Sequence, residues 1–198
     1  MEKKMMELIK WDMSLLEELK NICNVVDRSF LSNRLPFPYT TEAAKWWLTM
    51  VSEHDGKDGV FRAITVDGKV VGNISVEQKS DVYCRDGEIG YMLLDDYRGK
   101  GIMTEAVAKI CEIAFSELNL LRITGLVYAP NVASQKVLLK NNFVKEGLQK
   151  NAVYKNGEVY DLCRIFAAPG TVFIKSIVHT AEIRSIPRSD KIFLIKVL

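Results

Sequence analysis

The sequence lacks the patterns that mark most metal-binding, secreted and membrane proteins. Its four cysteines form no CxxC pair, and its two histidines lie far from all of them. This spacing argues against a zinc site and against a disulfide framework, and it predicts reduced thiols. No uninterrupted apolar run reaches transmembrane length, and no apolar signal-peptide core follows the first residues. We therefore expect a cytoplasmic protein with no metal and no membrane partner.

An excess of charge of one sign is also absent. Lys and Arg total 27 against 25 Asp and Glu, which leaves a formal net charge of +2. The basic residues are spread among acidic ones, so the sequence gives no reason to expect nucleic-acid binding. With 198 residues, of which 48% are hydrophobic and 26% charged, the chain fits one packed globular domain. A monomer and a homodimer are both compatible with this composition.

The first half of the chain alternates between helix and strand patterns. A strand is expected near residues 5–9, followed by a helix that Ser14 would cap, with Glu17 completing a capping box. The segment Leu35-Pro36-Phe37-Pro38-Tyr39 cannot lie inside a helix, because each proline disfavours helical geometry before it. A second helix is expected to start directly after this segment. The dipeptide Asp67-Gly68 then predicts a hairpin turn between two strands.

The second half continues the alternation. A strand over about 88–94 leads through a glycine-rich turn into a helix over about 102–118, whose apolar residues recur at helical spacing. A strand, a short helix and a closing hairpin follow. This order predicts an α+β or mixed α/β fold with helices covering the faces of a sheet. We expect residues 1–166 to form the domain, and residues 167–198, with a strand-like patch at 192–197, to form an appendage of unknown role.

The most informative motif is the run Tyr97-Arg98-Gly99-Lys100-Gly101-Ile102-Met103-Thr104 between a strand and the long helix. Glycines let the backbone turn tightly and aim several N–H groups at one point, and the helix N-terminus adds partial positive charge. Such a turn suits a pyrophosphate, although the same glycines also suit a tight connection with no ligand. A Walker P-loop is excluded, because Gly101 follows Lys100 and Leu94 stands where the earlier glycine is required.

Several motifs in this order resemble the GNAT superfamily of N-acetyltransferases. That family's CoA-binding signature is Q/R-x-x-G-x-G/A, which Arg98 and Gly101 match, whereas Met103 stands where Gly or Ala is usual. Over roughly residues 5–166 the chain is similar to the RimJ/RimL-type branch, which acetylates protein N-termini. The segments that carry this similarity are 35–39, Ile89-Gly90-Tyr91, the run from Gly99 to Ala106, and Asn131-Val132-Ala133-Ser134. The resemblance implies a GNAT-like central sheet, mostly antiparallel, with strands 4 and 5 splayed apart and helices on both sides.

The resemblance also implies which residues bind acetyl-CoA. Backbone groups of Leu93 and Leu94 would pair with the pantetheine arm as an added strand does. The side chain of Asn131 would contact pantetheine, cap the following helix, or do both. The Thr104 hydroxyl and a run of backbone amides would hold the pyrophosphate, the amides being those of Arg98, Gly99, Lys100, Gly101, Ile102 and Met103.

The catalytic roles follow from the same resemblance. The family transfers acetyl directly within a ternary complex, so one group must accept the amine proton and another must protonate or stabilise the leaving thiolate. Glu88 is the candidate for the amine proton, although a carboxylate on a strand is often only solvated. Many family members carry a Tyr seven residues after the Asn, where this chain has Leu138. Ser134 matches the serine that the RimJ/RimL-type branch is thought to use instead, although it could be a plain helix-surface residue.

Aromatic residues supply weaker candidates for acceptor contacts. Phe37 and Tyr39 lie in the proline-rich segment, which either shapes the amine entrance or only packs the loop. Tyr91 either lines the acceptor cleft or belongs to the core. Core or helix packing is the predicted role of Trp11, Trp46 and Trp47.

The leading prediction is an enzyme that acetylates a protein N-terminal α-amine or a small-molecule amine. Loss of the usual Tyr and the unusual Met103 also suit an acetyl-CoA-binding module without turnover. A structural protein with an empty glycine turn is the third hypothesis. The fold alone does not identify the acceptor.

Overall fold

A computed structural model of the protein describes residues 5–172. Seven strands, four α-helices and three short 3₁₀ turns occur in this part of the chain. The element order agrees with the sequence prediction throughout. In chain order the elements are β1 Met6–Lys10, α1 Leu16–Val25, α2 Thr41–His54, β2 Gly59–Val66, β3 Lys69–Gln78, β4 Asp86–Leu93, α3 Ile102–Glu117, β5 Arg122–Tyr128, α4 Val132–Lys140, β6 Val144–Lys155 and β7 Glu158–Ala167.

The seven strands form one sheet in the order β1-β2-β3-β4-β5-β7-β6. Every neighbouring pair is antiparallel except β4 and β5, which run parallel. The β4–β5 ladder begins at Asp86↔Arg122 and ends at Glu88↔Thr124. Beyond it, residues 89–93 and 125–128 diverge and leave a V-shaped gap in the middle of the sheet. The predicted mixed fold with splayed strands 4 and 5 is therefore confirmed.

Helices cover both faces of the sheet. α3 and α4 pack on one face, where Ile110 and Leu138 are fully buried against residues of the sheet. α1 and α2 pack on the other face with Trp11 and Phe61. Burying one large apolar side chain contributes roughly 1.5–3 kcal/mol, so each of these layers stabilises the sheet substantially. Strand β2 is buried at every position because it lies under both layers.

The predicted turns are present. Asp67 and Gly68 both have positive φ, 51° and 78°, as a two-residue hairpin turn of the primed type requires. Asn156 and Gly157 repeat this geometry between β6 and β7, with φ of 52° and 85°. Asn142 ends α4 with φ of 60°, the left-handed conformation that asparagine tolerates. Short-range turn chemistry was sufficient to locate all three.

Two local predictions are wrong. Ser14 does not cap the first helix, because Asp12 accepts hydrogen bonds from both the backbone N and the Oγ of Ser14, and α1 begins only at Leu16 after a 3₁₀ turn. Trp46 is not a core residue, since 70% of it is exposed. α2 buries Ala44, Leu48 and Val51, and Trp46 lies on the opposite side of that helix.

The other two tryptophans do pack as predicted. Trp11 is buried, and the ring of Trp47 contacts it edge-on at 5.6 Å between ring centroids. Within residues 5–172, none of the helices has the length and apolar character needed to cross a membrane. Most of the predicted appendage, including the strand-like patch at 192–197, lies outside the described residues.

Candidate active site

A cavity of about 680 Å³ fills the gap between the diverging halves of β4 and β5. Four parts of the chain line it, namely residues 88–93, the glycine turn, residues 125–128 and the start of α4. The loop between α1 and α2 adds further lining residues at 26–32. The lining residues that the sequence predicted are Glu88, Tyr91, Leu93, Arg98, Gly99, Gly101, Ile102, Met103, Thr104, Asn131 and Ser134.

The alternation of side chains along β4 gives the gap two distinct sides. Tyr91 packs with the α3–α4 layer, whereas Met92 packs with the α1–α2 layer. Glu88 is an even number of residues from Met92, so its side chain lies on the α1–α2 side. The gap therefore connects Glu88 on one side of the sheet with Tyr91 on the other, and two reactants could meet in it from opposite sides.

The peptide groups of β4 alternate as well. The backbone N of Leu94 donates to the carbonyl of Val71 at 2.9 Å. In an antiparallel ladder every second residue directs its N–H and C=O groups to the same neighbouring strand, so the β4 residues in step with Leu94 face β3. Those of Ile89, Tyr91 and Leu93 must point the other way, into the gap, where the β4–β5 ladder has ended. An extended ligand in the gap could pair with them as a further strand would.

The prediction for Leu94 needs correction for the same reason. Its N–H is bonded to Val71, and its carbonyl accepts from the backbone N of Tyr97 at 3.0 Å. Leu94 is also not among the residues that line the cavity. Period-two alternation therefore leaves Leu93, but not Leu94, able to pair with pantetheine.

The glycine turn has the geometry of an anion site. Gly99 and Gly101 have φ of 74° and 82°, which glycine adopts without strain. Gly101 is the N-cap of the 16-residue helix α3 and has no side chain with which to cap it. The first amides of α3 are thus available to an anion, which the helix dipole also favours. A Cβ atom built at either glycine meets nothing within 4 Å, so the turn is open.

The unusual residue of the signature does not obstruct this turn. Met103 is only 8% exposed and packs in the core cluster beneath α3. Its bulk is therefore accommodated by the core, while its backbone amide belongs to the first turn of the helix. A large apolar residue at this position therefore does not obstruct the glycine turn.

The basic side chains near the turn fold back onto the protein. Arg98 forms ion pairs with Asp27 at 3.3 Å and with Asp95 at 3.1 Å. Lys100 donates to the backbone carbonyl of Asp96 at 2.5 Å and does not line the cavity. Any contribution of Lys100 to anion binding would come from its amide, as the sequence predicted.

Glu88 lies at the edge of the gap, at the last paired position of β4 and β5. The residue keeps contact with solvent, yet partial burial raises the pKa of its carboxyl above the usual value. Lys79 opposes this rise, and Glu77, directly across on β3, adds to it. A carboxylate with a raised pKa inside a cleft is a candidate general base.

Ser134 is held from two directions on the other side of the gap. Its backbone N donates to Oδ1 of Asn131 at 3.1 Å, so Asn131 does cap α4. Its Oγ lies 2.7 Å from the hydroxyl of Tyr91. The sequence did not predict this bond, because nothing local relates two residues 43 positions apart.

The two other predicted acceptor contacts lie away from the main cavity. Tyr39 is buried, and its backbone N and O are both bonded to the side chain of Asn24, at 2.8 and 2.9 Å. Tyr39 therefore packs the loop, and its predicted contact with the acceptor is wrong. Phe37 is exposed and lines a second cavity of about 380 Å³, which adjoins the first through Asp27 and Ser32.

A buried lysine that the sequence did not single out fixes the α1–α2 loop. Lys155 is 7% exposed and its ammonium donates to the carbonyls of Arg28 and Leu31. The tip of the β6–β7 hairpin is thereby tied to the loop that forms one wall of both cavities. Lysines are seldom buried, and no motif distinguishes this one in the sequence.

Leu138 occupies the position where many members of the superfamily that the sequence resembles carry tyrosine. It is fully buried, and its Cδ1 would lie 2.5 Å from a Cβ built on Gly125. The leucine therefore fills the space directly above that glycine. Ser134 is left as the hydroxyl of α4 that lines the cleft.

Replacing Leu138 by tyrosine is expected to lower the free energy of unfolding by about 1–3 kcal/mol, because the larger ring overpacks a filled site. Denaturant titration would measure this loss. Leu139→Tyr is the matched control, since Leu139 is 41% exposed, and it should change stability by no more than about 0.5 kcal/mol. Unchanged stability of Leu138→Tyr would show that the site can still accept the usual residue.

The described part of the chain contains no group of three or more His, Cys, Asp or Glu side chains that could hold a metal ion. The cleft itself offers a carboxylate, hydroxyls and backbone amides.

Comparison with known proteins gives consistent matches. Residues 8–144 match the acetyltransferase (GNAT) domain. A probable N-acetyltransferase of Bacillus subtilis (strain 168), YjcK, is 38% identical over 124 residues, which are 60% of this chain and 67% of that protein. The chain spans between 44% and 67% of the length of the first three curated relatives.

Solved structures agree with this match. The ribosomal-protein-S5-alanine acetyltransferase from Vibrio fischeri is 26% identical, with a TM-score of 0.69 over 85% of this chain and 94% of that one. RimL, a ribosomal L7/L12 alpha-N-protein acetyltransferase solved in complex with coenzyme A, is 20% identical, with a TM-score of 0.73 over 82% of this chain and 93% of that one. At that identity RimL shows the shared fold.

Proposed function

This chain belongs to the GNAT acetyltransferase family, and from that premise we propose that it transfers the acetyl group of acetyl-CoA to a primary amine. The observation that carries the proposal is the gap between β4 and β5. At that gap the ladder ends after Glu88↔Thr124, and an open glycine turn lies beside it. One edge of the gap therefore offers peptide groups to an extended ligand, and one end offers amides to an anion.

The residues of the gap fit acetyl-CoA, whose bound form supplies an acetyl group activated as a thioester. Amides from Arg98 to Met103 would hold the diphosphate at the start of α3. Peptide groups of Leu93 and its alternate neighbours would bind the pantetheine arm. Thr104 and Asn131 line the same cavity and would contribute polar contacts.

Glu88 and Ser134 would take complementary roles on the two sides of the gap. The neutral amine nitrogen forms a bond with the acetyl carbon, and Glu88 accepts the one proton that this nitrogen loses as the bond forms. Ser134 donates a hydrogen bond to the sulfur as the bond between sulfur and acetyl carbon breaks and its electron pair stays on sulfur. A backbone N–H near Leu93 donates to the acetyl oxygen. The thiolate takes a proton from solvent and Glu88 returns its proton to solvent, so the transfer has no net gain or loss of protons.

We propose a protein N-terminal α-amine as the acceptor, with a small-molecule amine as the other possibility within the same chemistry. Both the Vibrio fischeri enzyme and RimL carry names that specify ribosomal proteins as acceptors. This supports the branch that the motifs around Tyr91 and Ser134 resemble. The α1–α2 loop and the β6–β7 hairpin, joined through Lys155, would form the entrance for the acceptor.

A panel of N-terminal peptides and small amines tests the proposed function. We expect CoA release with at least one acceptor, detected with a thiol reagent, and an acetylated product detected by mass spectrometry. Binding of acetyl-CoA without release from any acceptor would instead identify a non-catalytic binding module.

Thermal stability tests the third hypothesis, that the glycine turn holds no ligand. Acetyl-CoA at about a hundredfold over its Kd should stabilise the fold by about 2.7 kcal/mol. CoA without the acetyl group should stabilise the fold as well. An unchanged melting temperature at high acetyl-CoA concentration would contradict binding altogether.

A further inference from the structure

Tyr91 and Ser134 join the two walls of the gap. Tyr91 lies on β4 and Ser134 lies in the first turn of α4. The tyrosine hydroxyl is 2.7 Å from Oγ of Ser134 and 3.3 Å from its backbone carbonyl oxygen. Because both residues line the cavity, this bond lies within the cleft that is proposed to hold the thioester.

We propose that Tyr91 is a positioning residue for Ser134: its hydroxyl donates to Oγ and thereby directs the serine proton at the sulfur. The inference rests on the proposed function. It replaces the role suggested for Tyr91 by the sequence alone, which was a contact with the acceptor. The alternation along β4 supports this change, since Tyr91 lies on the side of the sheet opposite to Glu88.

The proposed direction of the hydrogen bond determines which proton remains available to the sulfur. Each hydroxyl has one proton to donate. When Tyr91 donates to Oγ at 2.7 Å, the proton of Ser134 is free for a third group. The carbonyl oxygen at 3.3 Å is the weaker acceptor for Tyr91 by distance. Burial raises the pKa of Tyr91 to about 12, so the phenol keeps its proton at physiological pH.

The surroundings of the pair make it rigid. The ring of Tyr91 packs against the core cluster of the α3–α4 layer. Ser134 is fixed through its backbone by the Asn131 cap at 3.1 Å. Each partner is thus held independently, and their bond leaves the serine hydroxyl a restricted set of orientations. Such preorganisation is what a hydrogen-bond donor to a developing charge requires.

Kinetics of Tyr91→Phe, Ser134→Ala and the double variant test the inference. Tyr91→Phe removes only the hydroxyl, and it should lower kcat about tenfold with the KM for acetyl-CoA unchanged within about twofold. Ser134→Ala should lower kcat about a hundredfold. The double variant should equal Ser134→Ala, because Tyr91 acts only through the serine. Tyr154→Phe is the matched control, since Tyr154 is 74% exposed on β6.

A second readout needs no acceptor. The thiol of bound CoA can be titrated by the ultraviolet absorbance of its thiolate. A hydrogen bond from Ser134 stabilises the thiolate, so the thiol pKa should be about one unit higher in Tyr91→Phe and in Ser134→Ala than in the wild type. The thiol pKa of the double variant should be no higher than that of the single variants.

The outcomes separate the inference from the proposed function. A Tyr91→Phe protein with wild-type kcat and thiol pKa, altered only in its melting temperature, would show that the bond merely ties β4 to α4. If the kcat losses of Tyr91→Phe and Ser134→Ala multiply in the double variant, Tyr91 does not act through Ser134. A wild type that binds CoA but acetylates no acceptor would contradict the proposed function, while the thiol titration would still decide the inference.

Discussion

Replacing Glu88 by glutamine is expected to lower kcat by about 10²–10³-fold at neutral pH, the range that general acid–base catalysis supplies. Glutamine keeps the size and polarity of the side chain but cannot accept the amine proton. The Kd for acetyl-CoA should change by less than about twofold, because Glu88 lies on the side of the sheet opposite to Tyr91. Steady-state kinetics and calorimetric binding would measure the two quantities, with Glu112→Gln on the exposed surface of α3 as the control.

The pH profile gives the same residue a second signature. Burial raises the pKa of Glu88, so the wild type should lose kcat/KM as the pH falls through that raised value and the base becomes protonated. Glu77→Gln removes a neighbouring negative charge that adds to the rise, so it should move this acid limb to lower pH without lowering the plateau. Full activity of Glu88→Gln would rule the carboxylate out as the base.

Replacing Gly101 by valine is expected to weaken acetyl-CoA binding by about a hundredfold or more. Gly101 has φ of 82°, and a β-branched residue there would shift the turn. Two or three charge-assisted hydrogen bonds to the diphosphate, each contributing about 1.5–3 kcal/mol, would then be lost or lengthened. Calorimetry with acetyl-CoA measures the change in Kd.

Gly157→Val separates this effect from plain backbone strain. Gly157 has φ of 85°, and a Cβ built there also meets nothing within 4 Å. Both variants should therefore lose similar stability, but only Gly101→Val should lose affinity. Equal affinity in the two variants would place the diphosphate away from the turn.

Much of the fold followed from local patterns. The hairpin at Asp67-Gly68 follows from residues that tolerate positive φ, and the buried face of α3 follows from apolar spacing alone. The turn at Gly99 and Gly101 could be located in the same way, because strand, glycines and helix are consecutive in the sequence. In each case the physical cause acts within a few residues.

The rest depended on contacts between distant residues. Tyr39 is buried because it packs in the core cluster of the α1–α2 layer, where Asn24 holds its backbone. The exposure of Trp46 arises from which side of α2 meets the sheet. The misassignment of Leu94 arises from a ladder partner, Val71, that no local pattern reveals. The bond between Tyr91 and Ser134 likewise joins a strand to a later helix. Sequence periodicity carries no information about such pairs.

The measurement that tests the central claim most directly is a crystal structure of the protein with acetyl-CoA bound. It should place diphosphate oxygens about 2.7–3.2 Å from backbone N atoms within residues 98–103. It should also place the sulfur beside the hydroxyl of Ser134, with the pantetheine arm paired to β4. A diphosphate bound elsewhere, or a turn whose carbonyls face the ligand, would contradict the account.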